Sequence, residues 1–463
     1  MILDQLIQDL SIGLLWAVIG ALVFGALGLV SGTDETATIT PLTLLVVLLG
    51  VPPVGIFSFF IAAVVSKHLS HAIPTTMLGI PGDTMAIPIL EEANYLRRLG
   101  VPHIALRKAI SGGIIAALIS VPVAVGIAGL LSPFAGHVTA AAPWIFLAAT
   151  VLIAYFSPAR MAGVFVVVPF VMLVLGLREV GTQYFGGQTL TVSFFLGIAA
   201  APLILDLLAI SSPAGRREAR RDAVETSHLA TVDSSSSSYF PNPLKVLDKR
   251  QVGWTAGASV VSSATFVFSP IAMTVMMGEA IRRFPKNAYH RLTSMIAVKN
   301  GTTESTYLGE TLIPLVAFGL PLSPMSVGPA APLFNAPPRF TVDAETGVVD
   351  NLHTYMSTWE FLVFGLMGVL VAAVVVYPLA MRFAAPAAAF VMRNVSHEAV
   401  VAAFASLILM VAVWEGGVYG VLVVVTIGMV GGMLTRIFKL HAGVQFMAFY
   451  VALLSVPAIL GLV

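Results

Sequence analysis

Eight predominantly apolar runs, at 109–132, 139–157, 161–177, 191–210, 356–380, 397–413, 418–435 and 441–463, dictate most of what this chain can fold into. A hydrocarbon core about 30 Å thick takes roughly 20 helical residues to cross. Inside it every backbone N–H and C=O must find a partner within the protein, so such runs become bundled helices. Composition agrees, with 58% hydrophobic and 10% charged residues, where a soluble domain carries about 25% charged. The net charge of +1 gives nucleic acid no purchase. With no cysteine, disulfides, thiolate chemistry and cysteine zinc sites are excluded. Asp4 and Asp9 stand where a signal peptide carries basic residues, so no cleaved signal is expected.

The runs fall into two groups of four, one on each side of the polar stretch 211–250 with its "GRREARRD" and "DSSSSSYFPNP". Mixed charge and a serine run mark that stretch as a cytoplasmic linker. The halves, 1–210 and 251–463, share an anchor: Gly79-Ile80-Pro81-Gly82 returns as Gly319-Leu320-Pro321-Leu322, 240 residues later. Charge sets their relation, because basic residues favour cytoplasmic loops. Arg97, Arg98, Arg107 and Lys108 follow the first anchor, whereas the loop after the second has Arg339 against Asp343, Glu345 and Asp350. Opposite facing makes the repeat inverted. This topology puts 20 of the 24 Lys and Arg residues inside, leaving Lys67, Arg178, Lys299 and Arg339.

The expected fold is therefore an all-α polytopic membrane protein, an inverted-topology repeat with re-entrant hairpins and discontinuous helices, the pattern of secondary transporters. The hairpins are expected at 12–50, with its tip in "SGTDETATITP", and at 252–281, with its tip at Ser269-Pro270. After each hairpin a helix is expected to unwind at polar residues, "SKHLSH" (66–71) and "VKNGTTES" (298–305). Freed backbone at membrane depth is tolerated where it lines a cavity. Serine, threonine and carbonyl oxygens there suit a dehydrated cation, and helix N-termini suit a carboxylate.

The segment "MLGIPGDTMAIPILEEANYLRRLGVPHIALRKAISGGIIAA" resembles the Pro-Gly region of the large membrane subunit of tripartite tricarboxylate transporters (TctA), and "GETLIPLVAFGLPLSPMSVG" looks like that family's second Pro-Gly region. The chain resembles a divergent member. The family's Leu-Pro-Gly-Leu-Gly tips would fall at Leu29-Val30-Ser31-Gly32 and near Ser269-Pro270 without being intact, and the second Pro-Gly reads Pro321-Leu322. The resemblance implies a permease of the prokaryotic cytoplasmic (inner) membrane that imports di- or tricarboxylates with a Na+ or H+ gradient. It also implies a small membrane subunit, a periplasmic substrate-binding protein and a homodimeric scaffold as partners.

Site candidates follow from the interruptions. For the substrate they are Lys67, His68, Ser70, Gly79, Pro81, Gly82, Asp83, Gly319 and Pro321; for the coupling ion, a sodium ion or a proton, they are Ser31, Gly32, Thr33, Asp34, Asn300, Gly301, Thr302, Thr303 and Glu304. Ionisable groups at membrane depth are costly and mark function. Glu304 has the alternative of a structural pair with Lys299, five residues back, and Glu35 and Glu310 are weighed with it. Asp83 is placed to cap the helix after the break. Lys67 either meets the substrate carboxylate or snorkels to the outer interface. Glu91 and Glu92 read as a solvated interfacial face, and Asp206 and Glu415 as interfacial. His71 flanks the unwound turn, while His103, His228 and His290 need no role. The rival class is an intramembrane enzyme resembling an aspartyl protease, but Ile80 stands where its Gly-x-Gly-Asp motif has glycine. His397-Glu398 lacks the second histidine of a zinc helix, Val401 standing there. No catalytic residue and no cofactor beyond the coupling ion is expected.

Overall fold

The computed structural model describes residues 2–31, 33–185, 190–213, 242–266, 269–336, 339–342, 349–440 and 442–461. The protein is an all-α polytopic membrane protein. Among the described residues, seven helices are long and apolar enough to cross a membrane, or eight counting a pair bent by 64° at Ala200. The sole strand pair among them is a two-residue ribbon, Thr341–Val342 with Val349–Asp350, beside an isolated bridge between Ala336 and Phe340.

The first half runs through α1 (Ile2–Leu27), α2 (Glu35–Leu48), α3 (Pro53–Ile73), α4 (Leu90–Arg98), α5 (Pro102–Leu131), α6 (Ala135–Phe156), α7 (Met161–Tyr184), α8 (Thr191–Ala199) and α9 (Ala201–Ser211). The second runs through α10 (Lys249–Ala264), α11 (Pro270–Arg282), α12 (Ala288–Phe318), α13 (Thr358–Asn394), α14 (His397–Phe438), which is two helices meeting at a break at Gly416 and Gly417, and α15 (Ala442–Tyr450). Two of the polar linker's signals, "GRREARRD" and the serine run, lie outside the described residues, as does Gly32 at the first hairpin tip. The arms of the first hairpin are unequal. At 26 residues, about 39 Å at 1.5 Å per residue, α1 is long enough to cross alone, whereas α2 has 14 residues. In the second pair α10 has 16 residues and α11 has 13.

Helices α3 and α12 are the innermost. Every residue of α3 from Val54 to Ile73 is buried, and so is every residue of α12 from Thr293 to Phe318. The halves interlock around them: α1 and α13 pack on α3, while α5, α10 and α11 pack on α12, and α5 meets α13. A second group, α6 to α9 with α14 and α15, packs mainly on itself.

The expected unwinding at 66–71 and 298–305 does not occur. Both segments lie in continuous helix. Hydroxyls in such helices can bond back to the carbonyl one turn earlier instead of opening the backbone. Ser70 does so to Ser66 at 2.9 Å, Ser305 to Gly301 at 2.9 Å and Thr306 to Thr302 at 2.8 Å. The breaks come later and match at the 240-residue offset. Beyond Pro74, whose ring prevents the regular ladder, one wide turn (Pro74–Leu78) ends at Gly79 with φ +75°; α12 carries Pro314 and ends at Gly319 with φ +63°. A left-handed residue at that position favours glycine. Four residues on, Asp83 and Ser323 each cap the following turn through the side chain.

Candidate functional site

The ionisable residues of α3 sit at positions 67, 68 and 71, one face of a helix with 3.6 residues per turn. That face meets the N-terminus of α2, the break after Gly79 and the middle of α12. Lys67 is fully buried. Its Nζ donates to the Thr33 carbonyl at 3.0 Å and to Thr38 Oγ1 at 3.3 Å, and stands 3.7 Å from Asp83 Oδ2. His68 bridges two carboxylates: Nε2 meets Glu35 at 2.7 Å and Nδ1 meets Glu304 at 2.7 Å. Tyr307 presents its ring edge-on to His68 at 4.9 Å. His71 Nδ1 lies 2.9 Å from the Asp83 carboxylate. Asp83 also accepts from the Ala86 amide at 3.0 Å, so capping and ion pairing fall on one side chain.

The break itself is pinned. Ser31 Oγ donates to the Pro81 carbonyl at 2.7 Å, and the Gly82 amide donates to Thr75 Oγ1 at 3.1 Å. Gly82 packs so close that a Cβ added there would lie 2.5 Å from the His71 carbonyl oxygen and 2.8 Å from its Cβ.

The candidates named for substrate and for ion thus meet in one cluster: Lys67, His68, Asp83, Glu304 and the Thr33 carbonyl, with Ser31 and Pro81 tied to it. Others lie apart. Ser70 turns to α1, its Oγ 3.4 Å from the Phe24 carbonyl. Asn300 donates to the Ala109 carbonyl at 3.0 Å, and Gly301 packs on Thr255 and Gly112. Thr302 lies buried on α12, and Thr303 pairs with Thr274 at 2.8 Å. Asp34 caps α2 by accepting from Ala37 at 3.1 Å. Gly319 and Pro321 form the second break, where Asn351 Nδ2 donates to the Gly319 carbonyl at 2.7 Å.

Three expectations are corrected. Lys67 does not snorkel; it is buried and pairs with Asp83, sixteen residues on. Lys299 does not pair with Glu304, because residues five apart on a continuous helix point about 140° apart. Its partners are Glu92 at 2.6 Å and the Pro88 carbonyl at 3.0 Å. Glu92 is therefore buried rather than solvated. Glu415, half-buried beside the Gly416-Gly417 break, accepts from the amides of Val192 at 2.9 Å and Ser193 at 2.6 Å, the free N–H groups opening α8.

Glu35 and His71 stood at the edge of the sequence reading, and Thr38 and Tyr307 were missed. The available signal was spacing. Glu304, Tyr307 and Thr311 recur on α12 with the same stride that joins Lys67, His68 and His71 on α3.

A buried network of this kind holds together only if its charges pair. Here three carboxylates face one ammonium and two imidazoles, and Glu35 Oε2, His71 Nε2, Glu304 Oε1 and Tyr307 Oη are buried without a hydrogen-bond partner. Single ligand-type atoms of Glu35, His71 and Asp83 lie within 4.8 Å of one another. The Lys67 ammonium already brings positive charge to that point, and we assign no metal to it. The arrangement can hold an anion on Lys67 and His71, and it ties α2, α3 and the break to α12.

A model of the tripartite tricarboxylate transporter TctA family matches residues 14–444. The chain belongs to that family. No curated protein and no solved structure matches it. Membership covers both breaks and every residue of the network, and gives the chain a transport role in the membrane; the family is that of the large subunit of a tripartite system.

Proposed function

We propose that this TctA-family chain is a secondary active transporter that imports small carboxylates of the di- and tricarboxylate class, driven by a Na+ or H+ gradient through alternating access. The observation that carries this is the buried Lys67–Asp83–His71 and Glu35–His68–Glu304 network at a helix break. Ionisable groups at this depth are retained for ion or substrate pathways. A cation and an imidazole on one helix face are the chemistry a carboxylate requires. The two breaks with matched glycine caps support an inverted repeat of 1–210 and 251–463 joined by the 211–250 linker, with α10–α11 as a re-entrant pair. We place the chain in a prokaryotic inner membrane, as a homodimer working with a small membrane subunit and a periplasmic binding protein.

The decisive experiment is uptake of labelled citrate and succinate into proteoliposomes, with and without the partner subunits, under an imposed sodium or pH gradient. Accumulation above the external concentration is expected with one of the two gradients. Equilibration alone under both would remove the secondary transporter. The repeat is tested separately: single cysteines at Ser236 and Thr346 in this cysteine-free chain should label from opposite sides, and labelling from one side would end the inversion.

A further inference from the structure

We propose that Asp83 is a resident stand-in for a substrate carboxylate: the incoming carboxylate takes the Lys67–His71 cradle, Asp83 leaves it, and the break that carries Asp83 is released. This rests on the transport reading and says how its site couples to movement.

The cradle is built and only partly satisfied. Among the described residues the Lys67 ammonium makes two hydrogen bonds, to the Thr33 carbonyl and Thr38 Oγ1, although it has three protons to give. Asp83 Oδ2 stands 3.7 Å away, inside ion-pair range and beyond hydrogen-bond range. His71 holds the same carboxylate through Nδ1, while its Nε2 is buried and unpartnered. A carboxylate free of the backbone can approach the ammonium more closely than one fixed at 3.7 Å by its place in the chain.

Exchange also respects the charge balance. One carboxylate enters as another leaves, so Lys67 is never buried alone, the condition that makes a broken buried pair costly. Asp83 has somewhere to go. Its other oxygen accepts from the Ala86 amide, so it remains the cap of the Thr84–Ile89 turn after parting from Lys67. The joints lie just before it in the chain: Gly79 at φ +75°, and Gly82, which rests against the His71 carbonyl. A ligand shifts a conformational equilibrium only by interacting differently with its two states. Here that difference is the ion pair itself. The charged groups facing the cradle are Glu35 from α2, His68 and its partner Glu304 of α12, all of which keep their partners during the exchange.

The test separates binding from transport. Purified Asp83→Ala protein is heated in increasing sodium formate, with sodium chloride at equal ionic strength as the control. Formate is expected to raise the unfolding midpoint saturably, with half-effect on the order of 1 mM or weaker, the ceiling for a ligand of three heavy atoms. The double variant Lys67→Gln/Asp83→Ala should not respond. If Asp83→Ala cannot be recovered folded, Asp83→Asn keeps the shape and should bind citrate at least tenfold more tightly than the wild type, since no resident anion competes. A formate effect equal to that of chloride, or citrate binding by Asp83→Asn no tighter than wild type, overturns the proposal. Citrate and succinate uptake by the wild type is read in parallel. If it fails while formate still rescues Asp83→Ala, the transport reading has failed and the carboxylate cradle stands.

Discussion

The two breaks share a backbone and differ in chemistry. Each follows a proline five residues before a left-handed glycine (Pro74 and Gly79, Pro314 and Gly319), and each passes through a proline to a side-chain cap four residues beyond that glycine. At the first break the cap is Asp83, held by Lys67 and His71. At the second it is Ser323, whose hydroxyl donates to the Glu310 carbonyl at 2.5 Å and shares a capping box with Ser326. Nearby, Glu310 accepts from the Met325 amide at 3.1 Å, and Asn351 holds the Gly319 carbonyl. The first break is closed, beside the Ser31–Pro81 and Gly82–Thr75 hydrogen bonds, by charges that a charged ligand can replace. The second is closed by hydrogen bonds within its own half, and among the described residues no lysine–histidine cradle stands there for a carboxylate to take. Helix geometry alone therefore does not make a site; the anchor residues decide which break can respond.

The largest effect on folding is expected where the first break's network crosses between halves. His68→Ala leaves Glu35 and Glu304 buried without their common partner. Removing one member of a buried charged set costs about 3–5 kcal/mol, so the thermal midpoint of the purified protein should drop sharply. His68→Gln, which keeps a polar side chain between the carboxylates, should recover part of the loss. Equal stability of His68→Ala and wild type would mean that the two carboxylates are satisfied some other way.

Next comes the backbone of the breaks. Gly82 and Leu322 occupy matched positions, 240 residues apart. A leucine at 82 would drive its Cβ into the His71 backbone, whereas Leu322 is already a large side chain at the corresponding place. Gly82→Leu should abolish uptake while the protein still inserts in the membrane; Leu322→Ala should retain it. Loss at both positions would erase the distinction between the breaks, and unchanged uptake in Gly82→Leu would reduce the first to an ordinary kink.

Much of this was legible in the chain, and what was hidden has a physical cause. Apolar run length marked the crossing helices from α5 onward but not α1 or α3, and the recurrence of Gly79-Ile80-Pro81 as Gly319-Leu320-Pro321 located both breaks, because glycine and proline impose backbone geometry locally. Partners 33, 207 and 236 residues apart, such as Glu35–His68, Glu92–Lys299 and His68–Glu304, leave no local trace. Polar residues in α3 and α12 looked like points of unwinding for the same reason. A lysine or glutamate in an apolar helix looks intolerable until the neighbouring helix that satisfies it is known. The Lys299–Glu304 pairing failed on a point the sequence did contain, since a continuous helix turns those two side chains away from each other.

The smallest effect is expected at the second break's cap. Ser323→Ala removes the hydroxyl that accepts from the Ser326 amide at 3.2 Å and donates to Glu310. Losing an N-cap costs about 1 kcal/mol, and the turn it caps, Pro324–Val327, is one turn long. Stability should therefore fall slightly, with citrate affinity unchanged, because neither Lys67 nor His71 has a partner there. The measurement is a pair of curves on the same preparation, thermal unfolding and citrate binding. A small stability loss with intact binding sharpens the contrast with Asp83, whose replacement is expected to change binding most. If Ser323→Ala weakens citrate binding as strongly as Lys67→Gln does, then both breaks contact the ligand, and the neutral cap closes one wall of a single site shared between them.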